Sequence, residues 1–359
     1  MEVDTVCAGE VPWSGAARYG APKYQRTPVI GYAVSLLQLE ESNTKPYLAG
    51  RGIDARLVVA LGGGVSNMVI LAETTSGRMV LKQALAKLKV KEEWLSDPWR
   101  TVRECAAIRL IAHHLTPGDV PEILFDDPEN CIYAMSAAAV DACDWKTLLL
   151  GGEIRPRAAA AIARILGAMI RATWMSAEWD ERFGDQTVFG QLRLDPYYRF
   201  TAARHPDLSS RFERLIGMCA ERRCSLVHGD YSPKNFLVSG DRAMAIDFEV
   251  VHFGDPSFDA AFLLNHLRLK MFYRPQWERH YADAAVAFWN ELRSSLPPGA
   301  EWFEASAIAH LGGLMLARID GKSPAEYIAS EELRDRVRQY ARKLMFDPPN
   351  AIEEIFACR

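Results

Sequence analysis

The sequence predicts an α+β chain of two unequal lobes: a small N-terminal antiparallel β lobe with one key helix, and a large, mostly helical C-terminal lobe. Three observations predict this. Residues 56–85, RLVVALGGGVSNMVILAETTSGRMVLKQAL, alternate β-rich runs with Gly and Ser-Gly turns, the pattern of an antiparallel meander. Residues 97–115, DPWRTVRECAAIRLIAHHL, space their apolar side chains as one face of a helix. From about residue 145 helical periodicity dominates, broken only by strand-like runs around 226–239 and 243–254.

In chain order, residues 1–26 show little periodicity and are rich in Gly, Pro and Tyr, as a loose arm would be. Residues 30–41 and 45–50 read as one or two helices leading into the meander. In the helix after the meander, Asp97 suits the N-cap and Pro98 the first helical position. Residues 122–136 read as two strands joined by an Asp-Asp-Pro-Glu-Asn turn. In 155–174, Ile162, Ile165, Leu166, Met169 and Ile170 share a face, and Pro156 opens the helix. Further helices are expected at 257–271, 276–294, 303–318 and 331–345. The division expected is an arm and nucleotide-binding small lobe over 1–135, and a helical catalytic and acceptor-binding lobe over 136–359. A cleft between two such lobes is a natural ligand site.

Composition narrows the class. The 359 residues are 49% apolar and 25% charged, ordinary for a soluble globular protein. A net charge of −4 gives no global basic field, so nucleic acid and anionic membrane surfaces are not expected partners. No apolar run approaches the roughly 18 residues of a membrane span, and the N-terminus lacks a basic-then-apolar leader. Seven scattered cysteines without zinc spacing suit reduced thiols, and a cytoplasmic location is expected. The sequence carries no signal for an oligomeric state.

The residues that carry chemistry lie in LVHGDYSPKNFLVS (226–239), a polar knot between two apolar runs. With Asp247 it forms His-Gly-Asp-x4-Asn-x11-Asp. Phosphoryl transfer needs a carboxylate to orient and deprotonate the attacking hydroxyl, and oxygen ligands to hold Mg²⁺ against phosphates. Asp230 suits the first task; Asn235 and Asp247 suit the second. One amide and one carboxylate suffice, because Mg²⁺ fills its other positions with water and phosphate. Any one of these residues alone reads more readily as a turn or cap residue; their ordering between strand-like runs favours function. His228 beside Gly229 reads as a residue that braces the loop.

A nucleotide kinase also needs a loop over the phosphates and a lysine on them. Gly62, Gly63 and Gly64 would let backbone N–H groups approach phosphate oxygens, though a flexible hairpin explains them equally well, and Ser66 and Asn67 could cap that turn or touch phosphate. Lys82 sits centrally in an apolar strand, where its charge needs pairing. A phosphate and Glu104, on the following helix, would pair it; Glu92 and Glu93 compete for that role. Residues 131–136, CIYAMS, could connect the lobes, with Tyr133, Ala134 and Met135 about an adenine; a buried strand explains them equally well.

With these residues in view, LVHGDYSPKNFLV and AIDFEVVHFGDPSFDAAFLL resemble the aminoglycoside phosphotransferase and choline kinase superfamily, whose fold is protein-kinase-like. The small-lobe stretch through MVLKQAL and KVKEEW is similar to methylthioribose kinases. The resemblance spans roughly residues 55–330. It implies ATP as donor, Mg²⁺, and a small-molecule hydroxyl acceptor, a sugar, thio-sugar or amino-sugar. It implies Asp230 as catalytic base, Asn235 and Asp247 as metal ligands, and Lys82 on the α- and β-phosphates with Glu104 as its partner. The Asp-x-Glu pattern of DFE adds Glu249 at the metal, and Asp259 of GDPSFD supports the catalytic loop. YSPKN follows the broader phosphotransferase pattern and departs from that of methylthioribose kinases. An aminoglycoside O-phosphotransferase is the alternative, although 13 Lys and Arg against 14 Asp and Glu in 256–359 give no acidic excess for a polycation. A kinase-like nucleotide-binding module without turnover is disfavoured by the joint presence of Lys82, Asp230, Asn235 and Asp247.

Overall fold

The computed structural model describes residues 37–62, 67–85 and 98–358. After α1 (Glu41–Ala49) come three strands, β1 (Ala55–Ala60), β2 (Asn67–Thr74) and β3 (Gly77–Ala84). Helix α2 (Arg100–Ile111) follows, then β4 (Ile123–Asp127) and β5 (Ile132–Ser136). The strands form one antiparallel sheet in the order β1-β2-β3-β5-β4, so the expected meander is present. Successive side chains of a strand face opposite sides. Met79 and Leu81 therefore join Leu48, Ile70 and Ala134 in a core on one side. Val80, Tyr133 and Met135 pack with Cys105 and Ile108 of α2 on the other. Lys82 lies opposite Val69 and Tyr133, on that second side.

Two local expectations are corrected. Helix α2 begins at Arg100, not Pro98: Pro98 lies in a turn whose carbonyl accepts the Thr101 N–H at 3.0 Å. Asp97 lies outside the described residues. Residues 132–136 are not the connection between lobes. They form β5, bonded on both edges to β3 and β4, so the buried-strand alternative holds, and the chain leaves the sheet only after Ser136.

The remainder is helical with short strands: β6 (Cys143–Asp144), α3 (Trp145–Leu150), α4 (Pro156–Thr173), α5 (Ala177–Phe183), α6 (Thr187–Phe189), a π-helical segment Gly190–Arg199, α7 (Phe200–Arg204) and α8 (Ser209–Glu221). After these come β7 (Ser225–Val227), β8 (Phe236–Ser239), β9 (Arg242–Ala245), β10 (His252–Gly254), α9 (Ser257–Tyr273), α10 (Glu278–Ser294), α11 (Phe303–Asp320), α12 (Glu331–Phe346) and α13 (Ile352–Ile355). The two strand-like runs pair with each other. β8 and β9 form one hairpin, extended by β6, while β7 pairs antiparallel with the distant β10. Helix α9 is buried along almost its whole length, which explains why its apolar residues run round the helix rather than along one stripe. The six described cysteines are free thiols. No single helix among the described residues is long and apolar enough to cross a membrane.

Candidate active site

Strand β7, fully buried, leads directly into His228-Gly229-Asp230. The turn needs glycine: Gly229 has φ +78°, and a Cβ there would lie 2.8 Å from the Val250 carbonyl oxygen. Asp259, in the first turn of α9, accepts the N–H of His228 at 2.7 Å and of Gly229 at 2.9 Å, one on each carboxylate oxygen. His228 closes the loop from the other side. Its Nδ1 accepts the Asp230 N–H at 3.2 Å, so the ring proton sits on Nε2, which donates to the Ile246 carbonyl at 3.0 Å. Burial pushes the imidazole down to about 4, so it is neutral near pH 7. His228 and Asp259 therefore brace the loop, as the sequence suggested.

The Asp230 carbonyl accepts the Ser232 N–H at 2.7 Å and the Asn235 side-chain amide at 2.8 Å. The Asp230 carboxylate, in a residue 4% exposed, lies 2.8 Å from the Arg193 guanidinium and 3.0 Å from the Lys234 ammonium. Burial alone would raise its pKa, but Arg193 and then Lys234 overcome that and hold it far below the usual carboxylate range.

Asp247 follows β9 with φ +68°, a left-handed backbone that turns its carboxylate toward the sheet. It pairs there with Lys82, whose amine also meets Glu104 at 2.7 Å. Lys82 is 3% exposed and Glu104 fully buried. Burial disfavours a charged amine, yet Asp247 and Glu104 outweigh it and keep Lys82 protonated. Glu104 is thus the partner among the residues described; Glu92 and Glu93 lie outside them. Asn67, at the start of β2, donates to Glu249 at 3.1 Å, and the Arg100 guanidinium of α2 meets the same carboxylate at 3.1 Å. Gly63, Gly64 and Ser66 lie outside the described residues. Tyr133 and Met135 face the same side of the sheet as Lys82, Tyr133 directly beside it.

The donor set fits Mg²⁺. The Asn235 amide nitrogen is committed to the Asp230 carbonyl, leaving its oxygen as the ligand-capable atom, and the Asp247 side chain is 20% exposed. Among the described residues no group of three His, Cys, Asp or Glu converges. A cation that takes one or two protein oxygens and fills its shell with water and phosphate is the one such a pair can serve. Glu249 stands apart from that pair in its contacts, held by Arg100 and Asn67.

The structure adds three residues that the sequence reading missed. Lys234 is four residues from Asp230, a spacing that could have signalled the ion pair. Arg100 and Arg193 act across 149 and 37 positions, where spacing gives no signal.

A sequence profile described as the phosphotransferase enzyme family matches residues 58–297. Methylthioribose kinase 2 of Oryza sativa subsp. japonica is 26% identical over 256 residues, covering 63% of this chain and 59% of that protein. The methylthioribose kinase of Escherichia coli O45:K1 (strain S88 / ExPEC) is 26% identical over 255 residues, covering 62% and 59%. The match thus spans about three fifths of the curated relatives' length. Amicoumacin kinase hAmiN, solved with AMP-PNP, Ca²⁺ and Ami, superposes with a TM-score of 0.53 at 12% identity, covering 86% of this chain and 95% of its own. A choline/ethanolamine kinase family protein from Mesorhizobium loti gives 0.50 at 16% identity, covering 87% and 95%. At such identities the two structures show the protein-kinase-like fold alone.

Proposed function

The chain belongs to the phosphotransferase enzyme family, and from that membership we propose that it is an ATP- and Mg²⁺-dependent kinase acting on a hydroxyl of a small molecule, most plainly a sugar or thio-sugar. The small lobe through residue 135 would take the nucleotide and residues 136–359 the acceptor. The observation that carries the proposal is the charged Asp230, clamped by Asp259 and His228 and standing between Arg193 and Lys234, with Lys234 also close to the Asp247 of the Lys82–Asp247 pair. The methylthioribose kinase relatives support a sugar-like acceptor.

In the step proposed, the acceptor oxygen bonds to the γ-phosphorus as the bond from that phosphorus to the β–γ bridging oxygen breaks. ADP leaves, and the hydroxyl proton passes to Asp230 and then to water. A carboxylate held so far below its usual range is a weak proton acceptor, so its first task is to orient the hydroxyl. The proton moves late, once the new O–P bond has acidified it, as suits a loose transition state. Lys82, kept charged by Glu104 and Asp247, would meet the α- and β-phosphates. Asn235 and Asp247 would hold Mg²⁺, which offsets phosphate charge when bound. Tyr133 and Met135 would border the base.

A coupled ADP-release screen over sugars, amino alcohols and aminoglycosides tests the reading. Asp230→Ala is expected to lower kcat on the active acceptor by at least about 100-fold; phosphorylation within about tenfold of wild type would exclude Asp230 as the group that orients and deprotonates the hydroxyl. Because Asp230 stays ionised throughout, the wild-type kcat/KM profile between about pH 5 and 8 should show no acid limb from this carboxylate.

A further inference from the structure

Near Asp230 the helical lobe gathers Arg193, His266, Lys270 and Arg318. Arg193 reaches Asp230 and sits over the Phe262 ring, 5.7 Å from its centroid. Phe262, His266 and Lys270 follow on one face of α9 at four-residue spacing, with the Phe262 and His266 rings 5.5 Å apart. Lys270 is fully buried. Its sole hydrogen bond among the described residues goes to the His266 carbonyl, at 3.4 Å, and its amine lies 5.3 Å from the Tyr327 ring centroid. Arg318 of α11 donates to the Tyr197 hydroxyl at 3.3 Å, to the Ser323 hydroxyl at 2.9 Å and to the Ser323 carbonyl, while its Nε has no partner among the described residues. Among the described residues the Tyr327 hydroxyl and both amide atoms of Asn265, a fully buried residue, also have no partner.

A buried amine held by one long hydrogen bond, beside a buried amide with no partner among the described residues, leaves polar groups under-satisfied. Nearby acids do not supply the need. Glu326 pairs with Lys146 at 3.6 Å, Asp320 is taken by Arg338 and His205, and Asp144 caps α3. We propose that the acceptor carries an anionic group, a carboxylate or phosphate, held by Lys270 and Arg318 while its hydroxyl lies at Asp230. This rests on the kinase reading above. Asp230 and Lys270 are linked through Arg193, Phe262 and His266, about two helix turns of α9, which suits an acceptor the size of a sugar acid or sugar phosphate. Burial, then Lys146 and Arg318, push the Lys270 amine down to about 7; an anion beside it would restore its charge. Ser323 and Tyr327, in the segment after α11, border this cluster. A polycation would meet Arg193, Lys234, Arg318 and Lys270 with like charge.

The test uses matched acceptors with the full chain: glucose against glucuronate and glucose 6-phosphate, ribose against ribose 5-phosphate, and kanamycin as the cationic arm. The wild type should favour one anionic class over its neutral partner by at least about 100-fold in kcat/KM, with the carboxylate and phosphate arms telling which. Lys270→Met should cut that preference at least about tenfold, a ratio that a purely structural lysine would leave unchanged. A parallel measurement, with AMP-PNP and Mg²⁺ saturating, follows the unfolding midpoint in glucuronate and in inorganic phosphate. A rise in wild type that Lys270→Met loses supports the site. Equal use of neutral acceptors, turnover of kanamycin, an unchanged preference in Lys270→Met, or neither anionic turnover nor a midpoint rise would overturn the anionic acceptor and leave the kinase standing. If calorimetry shows no ATP binding with Mg²⁺, the kinase reading itself fails, and this inference with it.

Discussion

Arg193 and Lys234 both face the Asp230 carboxylate, but they are not equivalent. Arg193 is buried with its side chain 11% exposed, and its Nε also donates to the Gly229 carbonyl at 2.7 Å. Lys234 is 55% exposed at its side chain. Removing one partner of a buried pair strands the other charge, at a cost of about 3–5 kcal/mol, whereas an exposed pair contributes about 0–1 kcal/mol. Arg193→Met should therefore lower stability by several kcal/mol, softened because Lys234 remains. Lys234→Met should cost about 1 kcal/mol or less. Urea unfolding of the two variants checks the contrast, and equal losses would mean that the carboxylate is solvated rather than enclosed. The sign of the pH effect follows. The Asp230 pKa is depressed by folding, so the pair's contribution is complete above about pH 4, the ordinary aspartate value, and fades as pH falls below it.

The loop between β7 and β8 acts as a unit because every member has a second attachment. Gly229 cannot carry a side chain without meeting Val250, and its left-handed φ of +78° adds a backbone penalty. Gly229→Ala should cost at least about 2 kcal/mol and lower kcat with it, since the shift would reach Asp230. Gly240→Ala is the control: its φ is +57°, but nothing lies within 4 Å of the added carbon, so its cost should stay near about 1 kcal/mol. Thermal unfolding separates these outcomes, and parity would mean that the Val250 contact yields freely. This loop was the part of the site most legible in sequence, because its residues are local and its glycine, acid and amide each have few other uses between buried strands. The same holds for the β2–β3 turn and for α4, where period and punctuation agree. Residues 131–136 were ambiguous because a hinge and a buried strand share one apolar composition. The β7–β10 pair, Arg193 and Arg100 were not legible: each joins residues far apart in the chain, and their local sequence is that of ordinary surface helix or strand.

Two of the ion pairs that tie the sheet side to the helical lobe end on the short stretch Asp247-Phe248-Glu249, while Arg103 of α2 reaches Asp185 elsewhere. Lys82 of β3 reaches Asp247, while Arg100 of α2 and Asn67 of β2 reach Glu249. The resemblance to methylthioribose kinases implies a metal role for Glu249, and its contacts with Arg100 and Asn67 also suit a bracing role between lobes. The two roles predict different behaviour. As a metal ligand, Glu249→Gln would raise the Mg²⁺ concentration needed for half-maximal rate, and Arg100→Met would not copy it. As a brace, each single variant removes one partner of a buried pair, since Arg100 is 2% and Glu249 7% exposed. Each should then cost about 3–5 kcal/mol, while the double variant costs clearly less than the sum, the mark of residues in contact. Both singles should also raise KM for ATP, because Asn67 and Lys82 lose their fixed position relative to Asp247, with the Mg²⁺ requirement little changed at fixed ATP. Urea unfolding of the four proteins, with Mg²⁺ titrations of the same set, decides between the two. Additive losses with a Mg²⁺ defect confined to Glu249→Gln would return Glu249 to the metal. A strong coupling energy with matched ATP effects would make Asp247-Phe248-Glu249 the joint on which cleft geometry depends, with adjacent carboxylates dividing the labour between nucleotide lysine and lobe alignment.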